Sequence, residues 1–210
     1  DKQDENTNFF PASPYAISKL SSHYLIDHYR KAYNGFYCSG ILFNHESFLR
    51  GIEFVTKKIV NGLVRVLYEN APPVELGNLD AKRDWGHASD FVNAMNLIMD
   101  ANNPDDFVVA TGKTYSVREF IKRACNVLDV QPIFSGKGVK EICFDKKSKK
   151  KLVVVKKKYF RENELHRLKG NPKKIERKLK WKRNYDFNRL IEDMVINEVD
   201  SYRSGKKLVF

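Results

Sequence analysis

The sequence predicts an α/β protein with a parallel component. Two observations carry this reading. Stretches with apolar residues at helical period alternate with short apolar runs of strand length. The 210 residues are 42% hydrophobic, enough to bury one good-sized core or two small ones. No internal repeat interrupts the alternation.

Taken in order, Ser13-Pro14 opens the first helix, with Ser as N-cap and Pro at the first helical position. Ile17, Leu20, Tyr24 and Leu25 recur at helical spacing, and Asn34-Gly35 ends the run. Phe36 to Phe43 is mostly apolar and reads as a buried strand. Asn44 to Glu53 is polar and reads as a loop. Phe54 to Tyr68 returns to helical period through Val55, Ile59, Leu63 and Val66, until Pro72-Pro73 stops it. Ala88 to Met99 is helical again, and Phe107 to Ala110 is a short strand. Ser116 and Glu119 form a capping box for a helix running to about Leu128. Lys151 to Val155 reads as a strand, and helices follow around Pro172 to Leu179 and Phe187 to Tyr202.

The formal net charge is +12, unevenly spread. Lys137 to Arg183 carries 20 basic and 5 acidic residues, while the remainder carries 18 and 21. The runs Lys146-Lys147-Ser148-Lys149-Lys150-Lys151 and Lys156-Lys157-Lys158 can attract nucleic acid or an anionic surface. Few aromatics are interleaved for base stacking, so the segment reads as a solvated loop and edge, with no nucleic-acid partner expected. The three cysteines form no CxxC pair and the histidines are scattered. No metal is expected, and the sparse set fits a reducing, cytoplasmic compartment. No apolar run is long enough for a bilayer and no secretory signal opens the chain, so no membrane partner is expected. The chain opens at Asp1 rather than Met, and further residues are expected upstream.

Four clusters carry chemistry. Tyr15 and Lys19, four apart on the first helix, share a face. A lysine cation beside a phenol favours the phenolate and makes Tyr15 a proton acceptor for an alcohol. Tyr202 and Lys206 show the same spacing, but near the C-terminus, where a surface role is the simpler reading. The second cluster is Asn44-His45-Glu46-Ser47 with Arg50, directly after a strand. In open α/β sheets ligands bind beyond that end. Asn44 can donate and accept, His45 can donate, and Arg50 can clamp a phosphate; a turn closed by Asn and Ser is the alternative. The third is Gly77 to Ala88, where Arg83 can fork onto a phosphate and Trp85 can pack under a ring. A surface turn with a local Arg83–Asp84 pair is the alternative. The fourth is Tyr159 to Glu164, where Arg161 and Glu164 face the same way if helical. They can meet a phosphate and a ribose diol, or simply each other. No G-x-G-x-x-G turn follows a strand.

In this order the clusters resemble the GDP-mannose 4,6-dehydratase family of the extended short-chain dehydrogenase/reductases. The matching stretches include Ser13-Pro14-Tyr15-Ala16 with Lys19, Gly40 to Ser47, Phe54-Val55-Thr56, Leu76 to Ala88, Ala110-Thr111-Gly112, Tyr115 to Phe120 and Tyr159-Phe160-Arg161. Tyr-x-x-x-Lys marks only the superfamily, whereas Asn44 to Ser47 and Asp84 to His87 are specific to the dehydratase. Phe48-Leu49 stands where the family has Pro-Arg, Glu162 where it has Pro, and Asn171 where it has Asp.

The resemblance implies the C-terminal part of a Rossmann-type doubly wound domain plus a smaller α/β substrate-binding domain. Residues 1–43 would be a remnant of the dinucleotide-binding domain. Residues 44–210 would mainly bind the nucleotide sugar, with some segments returning to the Rossmann sheet. It implies NADP as cofactor, GDP-mannose as substrate, and a homo-oligomer, dimer or tetramer. NADP would oxidise C4, a Glu would remove the C5 proton, water would leave C6, and the hydride would return there. Tyr15 would take the C4 hydroxyl proton, with Lys19 tuning it and holding the nicotinamide ribose. His45 and Arg50 would contact NADP, and Asn44, Val55, Lys58, Arg83, Arg161 and Glu164 would line the GDP pocket. The Gly-rich turn and a Thr/Ser-x-Glu segment are expected upstream of Asp1. The alternatives are another nucleotide-sugar dehydratase or epimerase, and a non-catalytic nucleic-acid-binding fragment centred on the basic segment.

Overall fold

The computed structural model describes residues 2–160 and 168–205. In chain order its elements are α1 (Pro14–Tyr33), β1 (Ser39–Leu42), β2 (Asn44–Glu46), α2 (Val55–Tyr68), β3 (Val74–Leu76), β4 (Lys82–Arg83), β5 (Trp85–His87), α3 (Ala88–Met99), β6 (Asp106–Val109), β7 (Tyr115–Ser116), α4 (Val117–Val127), β8 (Pro132–Ser135), β9 (Ile142–Asp145), β10 (Lys151–Val155), α5 (Lys173–Lys178) and α6 (Phe187–Arg203). The described residues form two units. One holds 2–45, 83–114 and 168–184; the other holds 46–82, 115–160 and 185–205.

In the first unit, Ser13 starts α1 as its composition dictates: Oγ accepts from Ala16 N at 3.1 Å. Asn34 ends it in the left-handed region, at φ 48°. β1 pairs in parallel with β6, Ser39 opposite Asp106 and Leu42 opposite Val109. Phe91, Ala94 and Ile98 of α3, Phe107 and Val109 of β6, Ile175 of α5 and Trp181 form one buried cluster. Ion pairs add to it: Lys174 and Lys178 meet Asp105 at 2.7 and 2.9 Å, and Arg30 pairs with Asp106.

Two expectations change here. The Phe36–Phe43 run is not a buried strand: within β1 only Ser39 is buried, and its only ladder among the described residues is with β6. α1 is the helix that its spacing predicts, and none of its residues is buried: Ile17, Tyr24 and Leu25 are more than half exposed. Period specifies an apolar face but not what covers it. Asn44–Glu46 is a strand rather than a loop, because it pairs with β5, which lies far along the chain. Local polarity does not reveal such a ladder.

The second unit is built on a four-stranded sheet in the order β3-β10-β9-β8. β10 runs parallel to β3 and antiparallel to β9, with a register shift between Lys151 and Val153. Helices α2, α4 and α6 contribute Ile59, Leu63, Phe120, Ile121, Leu190 and Met194, all fully buried. α2 lies tightly on β3: a Cβ at Gly62 would come within 2.4 Å of Val74 Cγ2. α4 carries the capping box, Glu119 N to Ser116 Oγ at 3.1 Å and Ser116 N to Glu119 Oε2 at 2.7 Å. The lysine run forms the β9–β10 turn. Asp145 organises it by accepting from Ser148 Oγ at 2.7 Å and Ser148 N at 2.9 Å, which leaves Lys146, Lys147 and Lys149 exposed. Among the described residues no helix is long and apolar enough to cross a membrane.

Candidate active-site residues

Tyr15 and Lys19 sit one turn apart on α1, with the Lys19 Nζ 5.6 Å from the centroid of the Tyr15 ring. Both are exposed, Tyr15 at 73%. The Ser13 cap and Pro14 fix where the helix begins, so they also fix the face that both side chains share.

Asn44 and His45 follow β1 and lie in β2, both half-buried. His45 Nδ1 lies 3.0 Å from the Phe43 carbonyl. A carbonyl only accepts, so Nδ1 carries the hydrogen, and in the neutral ring Nε2 is an acceptor. The expected donor is therefore already engaged, and a ligand group meeting Nε2 must itself donate. Stacking on Phe91, with centroids 5.1 Å apart and planes 29° apart, holds the imidazole in place.

Arg83 ends β4 and is half-buried. Asp84, beside it, is fully buried and serves the backbone. It accepts from Thr111 N (2.8 Å), Thr111 Oγ1 (2.6 Å), Gly112 N (2.9 Å) and Gly170 N (3.1 Å). Trp85 is 2% exposed, so its ring is core rather than a platform for a ligand. His87 caps α3 by accepting from Ser89 N at 3.1 Å. The dense polar stretch is thus largely architectural.

In the second unit, Arg50 lies flat on Phe54, its guanidinium carbon 3.5 Å from the ring centroid. Its Nε is 3.1 Å from Glu46 Oε2, and Thr56 Oγ1 donates to the same oxygen at 2.7 Å. Glu46 is 2% exposed. Burial raises its carboxyl above the ordinary carboxylate value, against the Thr56 hydrogen bond and the Arg50 charge. Lys57 ties the same loop to α2 by donating to the Phe48 carbonyl at 2.8 Å, and is itself paired with Glu198 of α6 at 2.5 Å. Glu46 and Thr56 were not among the predicted site residues. The available signal was the i,i+4 spacing of Glu46 and Arg50, opposite charges in a specific motif.

Val55 is the first residue of α2 and is half-buried. One turn into the helix, Lys58 places its Nζ 3.8 Å over the Tyr159 ring. Tyr159 also closes on Gly77, where a Cβ would stand 2.2 Å from the Tyr159 carbonyl oxygen. The Gly77–Ala81 turn is tied down by Arg118, which donates to Asp80 at 2.8 Å and pairs with Glu141, and by Arg118 N to Leu79 O at 2.8 Å. Lys58, Gly77 and Tyr159 thereby fix the backbone that leads into residue 161. Arg161 and Glu164 themselves lie outside the described residues.

The predicted residues therefore divide between units: Tyr15, Lys19, Asn44, His45 and Arg83 in the first, Arg50, Val55 and Lys58 in the second. Among the described residues no group of His, Cys, Asp or Glu is placed to hold a metal ion.

A family-wide sequence profile described as GDP-mannose 4,6 dehydratase matches residues 1–194. A GDP-mannose 4,6 dehydratase of Drosophila melanogaster is 42% identical over 203 residues, covering 97% of this chain and 51% of that protein. One of Homo sapiens is 42% identical, with 97% and 55% covered. A GDP-mannose 4,6-dehydratase of Vibrio cholerae is 39% identical, with 94% and 56% covered. The chain thus spans about half the length of the curated relatives it matches. Among solved structures, RMD from Pseudomonas aeruginosa complexed with NADPH superposes with a TM-score of 0.77 at 16% identity, covering 95% of this chain and 60% of that one. The dTDP-glucose 4,6-dehydratase from Bacillus anthracis in complex with NAD gives 0.76 at 17%, with 100% and 59% covered. At such identities these two establish the shared α/β fold.

Proposed function

Because the chain belongs to the GDP-mannose 4,6-dehydratase family, we propose that it takes part in dehydrating GDP-mannose to GDP-4-dehydro-6-deoxy-D-mannose, with NADP as cofactor. The family match over residues 1–194, which carries Tyr15 and Lys19 on one helical face, supports this reading above all. We assign residues 1–43 to the dinucleotide-binding side of the enzyme and residues 44–210 mainly to the nucleotide-sugar side, with some segments returning to the Rossmann sheet. The reading brings with it a cytoplasmic enzyme that assembles as a dimer or tetramer, as the sequence resemblance implies.

The side chains present suit an anionic dinucleotide. Arg50 offers a guanidinium stacked on Phe54 with its Nε beside Glu46, and Lys19 offers an exposed ammonium. The nicotinamide, when bound, supplies an acceptor for the C4 hydride and returns it to C6. Tyr15, exposed on its helix, would as the phenolate accept the proton of the C4 hydroxyl as the ketone forms. Lys19, one turn on, keeps a positive charge beside the phenol and binds a ribose hydroxyl. His45, its Nδ1 hydrogen given to Phe43, receives a hydrogen bond at Nε2 from a cofactor hydroxyl or amide. Asn44, Val55, Lys58, Arg83, Arg161 and Glu164 take the GDP moiety, the two arginines by charge-assisted hydrogen bonds to the diphosphate.

The test is product formation by the full-length protein from a panel of GDP-mannose, UDP-glucose and dTDP-glucose, followed by mass spectrometry. A product one water lighter from GDP-mannose alone supports the reading. Turnover of only the uridine or thymidine sugar overturns it.

A further inference from the structure

Arg50 is held on three sides by its own neighbourhood. Phe54 lies under the guanidinium plane at 3.5 Å, Glu46 Oε2 stands at 3.1 Å from Nε, and the turn backbone is closed by Arg50 N to Ser47 O at 3.0 Å. Among the described residues neither Nη1 nor Nη2 makes a hydrogen bond. That edge of the fork, the one suited to bidentate contact with an oxyanion, remains available.

Glu46 is the less expected partner. A carboxylate this deeply buried is costly unless paired and hydrogen-bonded. It receives one hydrogen bond from Thr56 and one cation, and both converge on the same oxygen, Oε2. Thr56 sits in the first turn of α2, a rigid element, whereas Arg50 sits in a turn. Glu46 therefore links the helix to the Nε edge of the arginine. A stacked arginine without this anchor would keep its plane but lose its orientation within that plane.

We propose that Glu46, fixed by Thr56, is a positioning residue that holds Arg50 by its Nε edge so that Nη1 and Nη2 face an anionic group of the bound dinucleotide. The proposal rests on the reading of Arg50 as a cofactor contact. It assigns Glu46 no contact with substrate or cofactor, and Thr56 acts only through Glu46.

The experiment measures NADP and GDP dissociation constants by calorimetry on the full-length protein and on Glu46→Gln, Thr56→Val and Thr56→Ser variants. Glu46→Gln keeps the shape and an acceptor for Thr56 but removes the charge. It should weaken NADP on the order of tenfold, the scale of one charge-assisted contact, and leave GDP affinity within about twofold. Thr56→Val should move in the same direction, and Thr56→Ser should restore wild-type binding. In an Arg50→Ala background, Glu46→Gln should add nothing, because its effect passes through Arg50.

Wild-type NADP affinity in Glu46→Gln overturns the proposal. So does an equal loss of NADP and GDP affinity, or an undiminished effect in the Arg50→Ala background, since either would make Glu46 a general support. If Glu46→Gln does not fold, the two Thr56 variants decide by the same criteria. Failure of the wild type to bind NADP overturns the cofactor reading itself, and the positioning role with it.

Discussion

Gly77→Ala probes the framework beside Tyr159, at the start of the segment proposed to bind the nucleotide. An added Cβ would stand 2.2 Å from the Tyr159 carbonyl oxygen and 2.8 Å from its carbonyl carbon. Both are backbone atoms, so no side chain can swing away. The backbones on either side are tied: Leu76 O accepts from Lys156 N at 2.8 Å, and Tyr159 N donates to Lys156 O at 3.1 Å. Relief must come from separating the end of β3 from the exit of β10. Overpacking of this kind costs about 1–3 kcal/mol. For a chain of this size each kcal/mol lowers the melting temperature by roughly 2–4 °C. The same shift pulls Tyr159 from under Lys58 and displaces the approach to Arg161, so GDP affinity should fall as well. Gly40→Ala is the control, because its Cβ meets only Leu42 Cδ2 at 3.5 Å, an ordinary contact. Thermal unfolding by circular dichroism and GDP titration read both effects. If Gly77→Ala melts and binds GDP like Gly40→Ala, the account of this close approach is refuted.

Further outcomes are expected. Arg161→Ala should weaken GDP binding by about one to two decades, the scale of a charge-assisted contact worth roughly 1.5–3 kcal/mol, while Lys149→Ala with Lys150→Ala should leave it unchanged at fixed salt. The reverse pattern in a GDP titration would favour the basic segment as the binding surface. Asp105 is partly buried, which opposes its charge, yet Lys174 and Lys178 hold its carboxyl down to about 2. A depressed carboxylate stabilises the fold above its unfolded value and loses that contribution as pH falls toward about 2. After allowance for exposure, Asp105→Asn should therefore cost about 1–2 kcal/mol at neutral pH, a difference that shrinks below about pH 4 in urea titrations. Burial pushes the Cys143 thiol up to about 12 and raises Cys125 as well, whereas Cys38 is partly exposed. A thiol reagent should modify Cys38 in the native chain and reach the other two only after denaturation.

The parts of this fold that sequence reveals are those whose causes are local. Ser13-Pro14, Asn34 and the Ser116–Glu119 box are local signals for helix ends, and α1 and α4 lie where those signals put them. β8 and β9, the hairpin at one edge of the four-stranded sheet, are not legible in the sequence, because four-residue strands of mixed polarity have no period long enough to detect. β2 reads as a loop from sequence alone, because its definition as a strand comes from pairing with β5. In the site, residue identity pointed to the loops but not to each side chain's task. Asp84 and Trp85 stand in a motif that reads as ligand-binding, yet one is used up on four backbone and hydroxyl donors and the other is core. His45 kept its place but not its polarity, since the Phe43 carbonyl decides which nitrogen carries the hydrogen.

The central claim is that Tyr15 and Lys19 serve an internal hydride transfer on GDP-mannose. The direct measurement follows GDP-mannose deuterated at C4 through the full-length protein and its Tyr15→Phe variant, reading the label in the product by mass spectrometry and the rate by the appearance of the 4-keto sugar. The account predicts deuterium at C6 in the wild type. It also predicts a rate lower by about 10²–10⁴-fold in Tyr15→Phe, the usual worth of a general acid–base group, with substrate affinity nearly unchanged. Label lost to solvent, no turnover by the wild type, or a Tyr15→Phe variant as fast as the wild type would contradict it.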